Sequence, residues 1–130
     1  MTDWHTALPL QAALASFIDR GYLARHVRRM RAVYQERHQR IVEVLGDRFT
    51  DRLKVIASSA GLHVAATAPA MAPEELDAAV RRASAAGVEV LPLSVCDVGP
   101  PSQPGIALGY GAIPIDRVDE GLRRLRQSFE

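Results

Sequence analysis

Residues 8–49, LPLQAALASFIDRGYLARHVRRMRAVYQERHQRIVEVLGDRF, decide how this chain is built. A short apolar segment runs into Gly21, and a long arginine-rich segment follows. In the first, Leu10, Leu14, Phe17 and Ile18 share one helical face. Pro9 suits a first helical turn, and Gly21 suits a helix end. In the second, Leu23, Val27, Met30, Tyr34, Ile41 and Leu45 form one apolar stripe at helical spacing. That spacing predicts a helix of about six turns, from Tyr22 to near Gly46. The opposite face carries Arg25, Arg28, Arg29, Arg31, Arg37 and Arg40. A helix this long needs a large apolar surface to lie against, and the remaining sequence supplies only part of one.

Upstream, residues 1–7 read as a leader without periodicity, with the chain's one tryptophan, Trp4. Downstream, LKVIA (53–57) and LHVAAT (62–67) read as two strands joined by the turn residues Ser58, Ser59, Ala60 and Gly61, a hairpin pattern. Pro73 opens a helix with Glu74 and Glu75 in its first turn, where acids suit the dipole; Leu76, Val80 and Ala83 face inward and Gly87 ends it. VEVL (88–91) reads as a third strand and IALG (106–109) as a fourth, separated by an irregular, proline-rich loop over 92–104. Pro114 introduces the last helix, with acids early, arginines late, and Val118, Leu122, Leu125 and Phe129 on one face. The order α-α-β-β-α-β-β-α predicts an α+β fold. It is a small, mostly antiparallel four-stranded sheet with helices on one face, preceded by a short and a long helix. The expected division is a leader over 1–7, a helical segment over 8–49 and an α+β subdomain over 50–130, forming one structural domain. Strands 62–67 and 88–91 are apolar on both sides of the alternation, which asks for cover on both sheet faces.

With 130 residues, 48% hydrophobic, 24% charged and a net charge of +1, the composition is that of a globular domain. It gives no bulk-charge argument for nucleic acid or membrane. The charge is nonetheless uneven: between Arg20 and Arg40 there are seven arginines and one acid, Glu36. The single cysteine, Cys96, allows no internal disulfide and fits the reducing cytoplasm, the expected location. The N-terminus lacks the basic and apolar regions of a signal peptide, and no apolar run reaches the length of a membrane span.

Motifs that announce chemistry are missing: no nucleophile elbow, phosphate loop or paired cysteines. His26 and His38 are twelve residues apart and cannot share an ion, so no metal site is expected. Lys54, the only lysine, reads as an edge-strand residue rather than a desolvated nucleophile. His63 follows Gly61 at a strand start, where a glycine lets a ligand approach; the plain alternative is a solvent-facing histidine. The arginine face suits phosphates or a partner's carboxylates, but no interleaved aromatics accompany it, so direct nucleic-acid binding is not favoured.

One set of residues carries a resemblance: Pro9, Gln11, Ala13, Phe17, Ile18, Gly21, Arg25, His26, Arg28, Arg29, Met30, Arg31, Tyr34 and Arg37. Ala60-Gly61-Leu62-His63, Gly87-Val88 and Leu108-Gly109-Tyr110-Gly111 follow in order. Together they resemble the end of MocR-type regulators, a subgroup of GntR-type transcription factors. In that family a DNA-binding winged helix is joined to a domain similar to fold-type-I aminotransferases, which binds pyridoxal 5'-phosphate. The resemblance covers only the C-terminal small subdomain and the long helix leading into it. It implies that the cofactor's lysine, its acid and its phosphate cradle belong to a large subdomain with no counterpart here. It also places Ala107 where related aminotransferases hold a carboxylate-binding arginine, and an alanine cannot make that contact.

The resemblance therefore implies a non-catalytic chain with no cofactor of its own: a C-terminal fragment, or a truncated stand-alone version, of a regulator's aminotransferase-like effector domain. Self-association or effector sensing is its expected role, with a second copy or the missing large subdomain as partner. Leu10, Leu14, Phe17, Tyr34, Arg25, Arg28 and Arg29 are the candidate interface, and Gly61, His63 and Ala107 the candidate ligand-facing positions. Two alternatives stand beside it: a module binding an amino acid or pyridoxal phosphate, and nucleic-acid binding through the arginine-rich helix.

Overall fold

The computed structural model describes residues 7–58, 61–99 and 103–130, so residues 1–6 of the expected leader and parts of both loops lie outside it. The chain divides into two compact units, Met1–Val33 and Tyr34–Glu130.

The first unit holds α1 (Leu8–Asp19) and the opening turns of α2 (Tyr22–Arg48). Gly21 has φ 73 and its N–H donates to the Ile18 carbonyl at 2.9 Å, the left-handed helix stop expected of it. No residue of α1 is buried.

The second unit begins within α2 and continues with β1 (Lys54–Ile56), β2 (His63–Thr67), α3 (Pro73–Ala85), β3 (Leu91–Pro92), a 3-10 turn (Leu93–Cys96), β4 (Gly105–Gly109) and α4 (Ile115–Gln127). The sheet is antiparallel in the order β1-β2-β4-β3, and β1 and β2 form the expected hairpin pair. Alternation sends Val64, Ala66, Ile106 and Leu108 to one buried face. Against it pack Ile41, Val44 and Leu45 of α2, Leu76, Ala79 and Ala83 of α3, and Val118, Leu122 and Leu125 of α4. Phe49 and Phe129 meet edge to face with ring centres 6.1 Å apart and close one end of this core. At its start α3 carries half of a reciprocal cap: the Ala72 N–H donates to the Glu75 carboxylate at 3.0 Å, and alanine has no side-chain oxygen to return the bond.

Several sequence expectations need correction. α2 begins at Tyr22 as expected and ends at Arg48, near the expected Gly46, but at 27 residues it is longer than about six turns. The third strand is Leu91–Pro92 rather than 88–91. Its displacement comes from the end of α3. Gly87 has φ 77, its N–H donates to the Ser84 carbonyl at 2.9 Å, and the Val88 N–H donates to the Ala83 carbonyl at 2.9 Å. That pair of bonds is a Schellman cap, so the Val88 amide serves the helix and is withheld from the sheet. Pro92 lacks an N–H and fits because β3 is an edge strand. Within the supposedly irregular loop, Leu93–Cys96 form the 3-10 turn. The single apolar stripe of α2 also divides: Ile41 and Leu45 are buried, Met30 and Tyr34 are half-buried, and Leu23 and Val27 are exposed. Among the described residues, no helix is long and apolar enough to cross a membrane.

Candidate functional site

The sheet face away from the helices is where the ligand-facing candidates gather. His63, Ala65 and Thr67 of β2 share it with Gly105, Ala107 and Gly109 of β4, in the register His63–Gly109 and Ala65–Ala107. It is a floor of small residues. Ile56 stands opposite Ala65 on β1 and Leu91 opposite Ala107 on β3, both exposed. The His63 imidazole lies over Gly109: a Cβ at 109 would sit 3.5 Å from its Cδ2 and Nε2. Gly61, with φ 98, turns the chain into β2, and its carbonyl accepts a bond from the Tyr110 hydroxyl at 2.8 Å. Thus His63 and Ala107 share the open face, while Gly61 serves the turn that precedes it.

Tyr110, Arg37 and His38 support this edge, and sequence reasoning assigned none of them a role. Besides its hydroxyl bond to Gly61, Tyr110 donates its N–H to the Leu62 carbonyl at 2.9 Å. From α2, Arg37 Nη1 donates to the Tyr110 carbonyl at 3.3 Å and the Gly111 carbonyl at 2.8 Å. The His38 ring meets the Tyr110 ring edge-on at 5.6 Å. The buried Arg37 Nε and His38 Nδ1 have no hydrogen-bond partner among the described residues. Arg37 and Tyr110 both sat in the motifs quoted above, but contacts 73 residues apart in the chain leave no mark on local spacing.

The interface candidates separate. Leu10, Leu14, Phe17, Arg25, Arg28 and Arg29 lie in the first unit. Leu10 is 72% exposed and Leu14 56%, Phe17 stacks obliquely on Tyr22 at 5.6 Å, and the Arg25 guanidinium lies 5.8 Å over the Tyr22 ring. Tyr34 belongs to the second unit, half-buried against its core with the Arg37 guanidinium over its ring at 5.7 Å.

Arg40, Arg123, Arg124 and Arg126 of the second unit pair with acids. Arg40 grips Asp119 with two bonds of 2.8 and 2.9 Å and also reaches Glu43. The bonds from Arg40 hold the Asp119 carboxyl below its usual range. Glu120 accepts bonds from Arg123 and Arg124, which pull its pKa down to about 2.

No family profile matches the chain. Over 128 residues, 98% of its length, the chain is 37% identical to the probable rhizopine catabolism regulatory protein MocR of Rhizobium meliloti. Over 119 residues it is 26% identical to the uncharacterized HTH-type transcriptional regulator YhdI of Bacillus subtilis. Among solved structures, 98% of the chain superposes on 32% of LysN, the alpha-aminoadipate aminotransferase of Thermus thermophilus, with a TM-score of 0.81 and 21% identity. The chain resembles the C-terminal aminotransferase-like part of MocR-type regulators. The multiple substrate aminotransferase of Thermococcus profundus shares the fold at a TM-score of 0.73 and 24% identity, over 87% of the chain and 28% of that enzyme. The chain spans about a quarter of the length of the curated relatives it matches, 26% of MocR and 25% of YhdI.

Lys54, the only lysine of the chain, is exposed on the edge strand β1 rather than desolvated. Arg37 spends Nη1 on two backbone carbonyls. Among the described residues, no group of three or more histidines, cysteines or acids could hold a metal ion.

Proposed function

We propose that this chain is a non-catalytic portion of the effector domain of a MocR-type transcriptional regulator, and that its first helical unit is an association surface. The observation that carries the reading is the unburied state of that unit. Leu8 is 75% exposed, Leu10 72% and Leu14 56%, and Phe17, Ile18, Leu23 and Val27 are exposed with them. Exposed apolar side chains clustered in one unit in this way suit an interface. A second copy of the chain is the proposed occupant.

Sedimentation velocity over a range of concentrations tests this. The chain is expected to shift from monomer to dimer as concentration rises. The double substitution Leu14→Glu with Phe17→Glu is expected to remain monomeric with an unchanged unfolding transition. A chain that stays monomeric at every concentration contradicts the proposal.

A second reading rests on a different observation, the shared placement of His63 and Ala107 on the open sheet face. On this reading the face is one wall of an effector site. Ala107 leaves the wall without an arginine, so a ligand's carboxylate finds no bidentate partner there. Calorimetry of the chain with pyridoxal 5'-phosphate and with amino acids checks it: heat that His63→Ala abolishes supports the wall, and no heat from a folded chain rejects it.

A further inference from the structure

A cavity of about 170 Å³ lies on the helical side of the sheet, at the end of β4. Ile41 of α2, Leu108 of β4, Ile113, and Val118 and Leu122 of α4 give it apolar walls. Ile41, Leu108, Val118 and Leu122 are themselves buried in the core. Glu89 is the one charged residue of its described lining, and one of its carboxylate oxygens accepts the Ser84 hydroxyl at 2.6 Å.

Three glycines, Gly87, Gly109 and Gly121, border this space. Gly87 needs its φ of 77 for the helix stop. A Cβ on Gly109 would lie on the opposite face, in ordinary contact with the His63 imidazole at 3.5 Å, and so would not enter the cavity. Gly121 differs from both. It sits inside α4, where glycine is the poorest helix residue after proline, and its φ is not positive. A Cβ there would meet only Ile113 Cδ1, at 3.8 Å, an ordinary contact. The chain thus accepts a weaker helix at the position where a larger side chain would fill the cavity.

We infer that this cavity is a binding site for a small aromatic molecule of one ring bearing a hydrogen-bond donor, with the ring among Ile41, Leu108, Val118 and Leu122 and the donor directed to Glu89. The volume sets the size: roughly 150 Å³ is the room that one benzene ring takes. The lining sets the class. Aliphatic walls favour a ring over water, and a single carboxylate at the site favours a neutral donor such as a phenol over an anion. The site lies on the helical side of the sheet and is separate from the open face that carries His63 and Ala107.

The test is a titration of the full chain with phenol, followed by the methyl NMR signals of Ile41, Val88, Leu108, Ile113, Val118 and Leu122. Saturable shifts confined to these methyls are expected. Glu89→Ala is expected to weaken phenol binding several-fold and to leave benzene binding unchanged. Gly121→Val fills the space and is expected to abolish the shifts. Gly121→Ala, which the helix accepts readily, is expected to weaken them and serves if the valine variant does not fold. Absence of saturable shifts in the unsubstituted chain, or identical shifts and affinity in Gly121→Ala, overturns the assignment.

Discussion

The two units use the same kind of helix in opposite ways. In the second unit the apolar face of α2 disappears into a core: Ile41, Val44 and Leu45 are buried, and Phe49 follows them with no exposed surface. In the first unit α1 carries leucines at comparable spacing and buries none of them. The arginines divide in the same way. Arg40, Arg123, Arg124 and Arg126 each reach an acid, whereas Arg25, Arg28 and Arg29 form no ion pair among the described residues. The lesson is that amphipathic spacing specifies that a face will be covered and leaves open what covers it. Residues 34–130 contain their own cover, a sheet with one apolar face, while residues 7–33 present an apolar face with its side chains exposed.

The sharpest way to break this contrast is truncation on each side of it. Phe49→Ala removes a fully buried ring and is expected to cost about 3–5 kcal/mol in chemical denaturation. Leu14→Ala is expected to stay within about 0.5 kcal/mol in the dilute chain, because the side chain is mostly exposed. Equal costs would show that the first unit is buried after all. Next in size is Gly105→Ala. Its Cβ would fall 2.6 Å from the Ala66 carbonyl oxygen and 2.6 Å from Leu93 Cδ1, so β2 and β4 must part. Overpacking of this kind is expected to lower stability by about 1–3 kcal/mol, read from the same denaturation curves.

The fold was largely legible because its signals are local. Gly21 and Gly87 stop helices through their own backbone angles, and the β1–β2 hairpin shows in the alternation around the turn residues. What escaped depends on partners far along the chain. Val88 looked like a strand residue because nothing in VEVL reveals that its amide is taken by the Ala83 carbonyl. The candidate face was half legible. Gly61 and His63 stood out by the glycine's freedom, but their fixing by Tyr110, and the approach of Arg37 and His38 from α2, required the assembled structure.

That support can be measured. Tyr110→Phe deletes the hydroxyl bond to the Gly61 carbonyl and is expected to cost about 1 kcal/mol. Faster hydrogen exchange at His63 and Val64, with the helical core unchanged, would confine the effect to the edge of the open face. The smallest expected effect is electrostatic. The Glu120 carboxyl, bonded by Arg123 and then Arg124, is held at about 2 against an ordinary value of 4.5. A carboxyl lowered in the folded state contributes stability that is fully present above its unfolded value and is lost as pH falls from there toward 2. The group is exposed, so the contribution is modest and screened by salt. Carboxyl NMR titration is expected to find the low midpoint and to see it rise in Arg123→Ala; a midpoint near 4.5 in the unsubstituted chain would remove the pair from the account.

Hydrogen exchange of the intact chain at two protein concentrations bears most directly on the contrast between the units. Amides of α1 are expected to exchange fast in dilute solution and to slow markedly as the chain associates. Those around Ile41 and Leu45 are expected to stay slow at both concentrations. If α1 is equally slow at both concentrations, its cover lies within the chain; if it is equally fast at both, no second copy covers it. Either result contradicts the account.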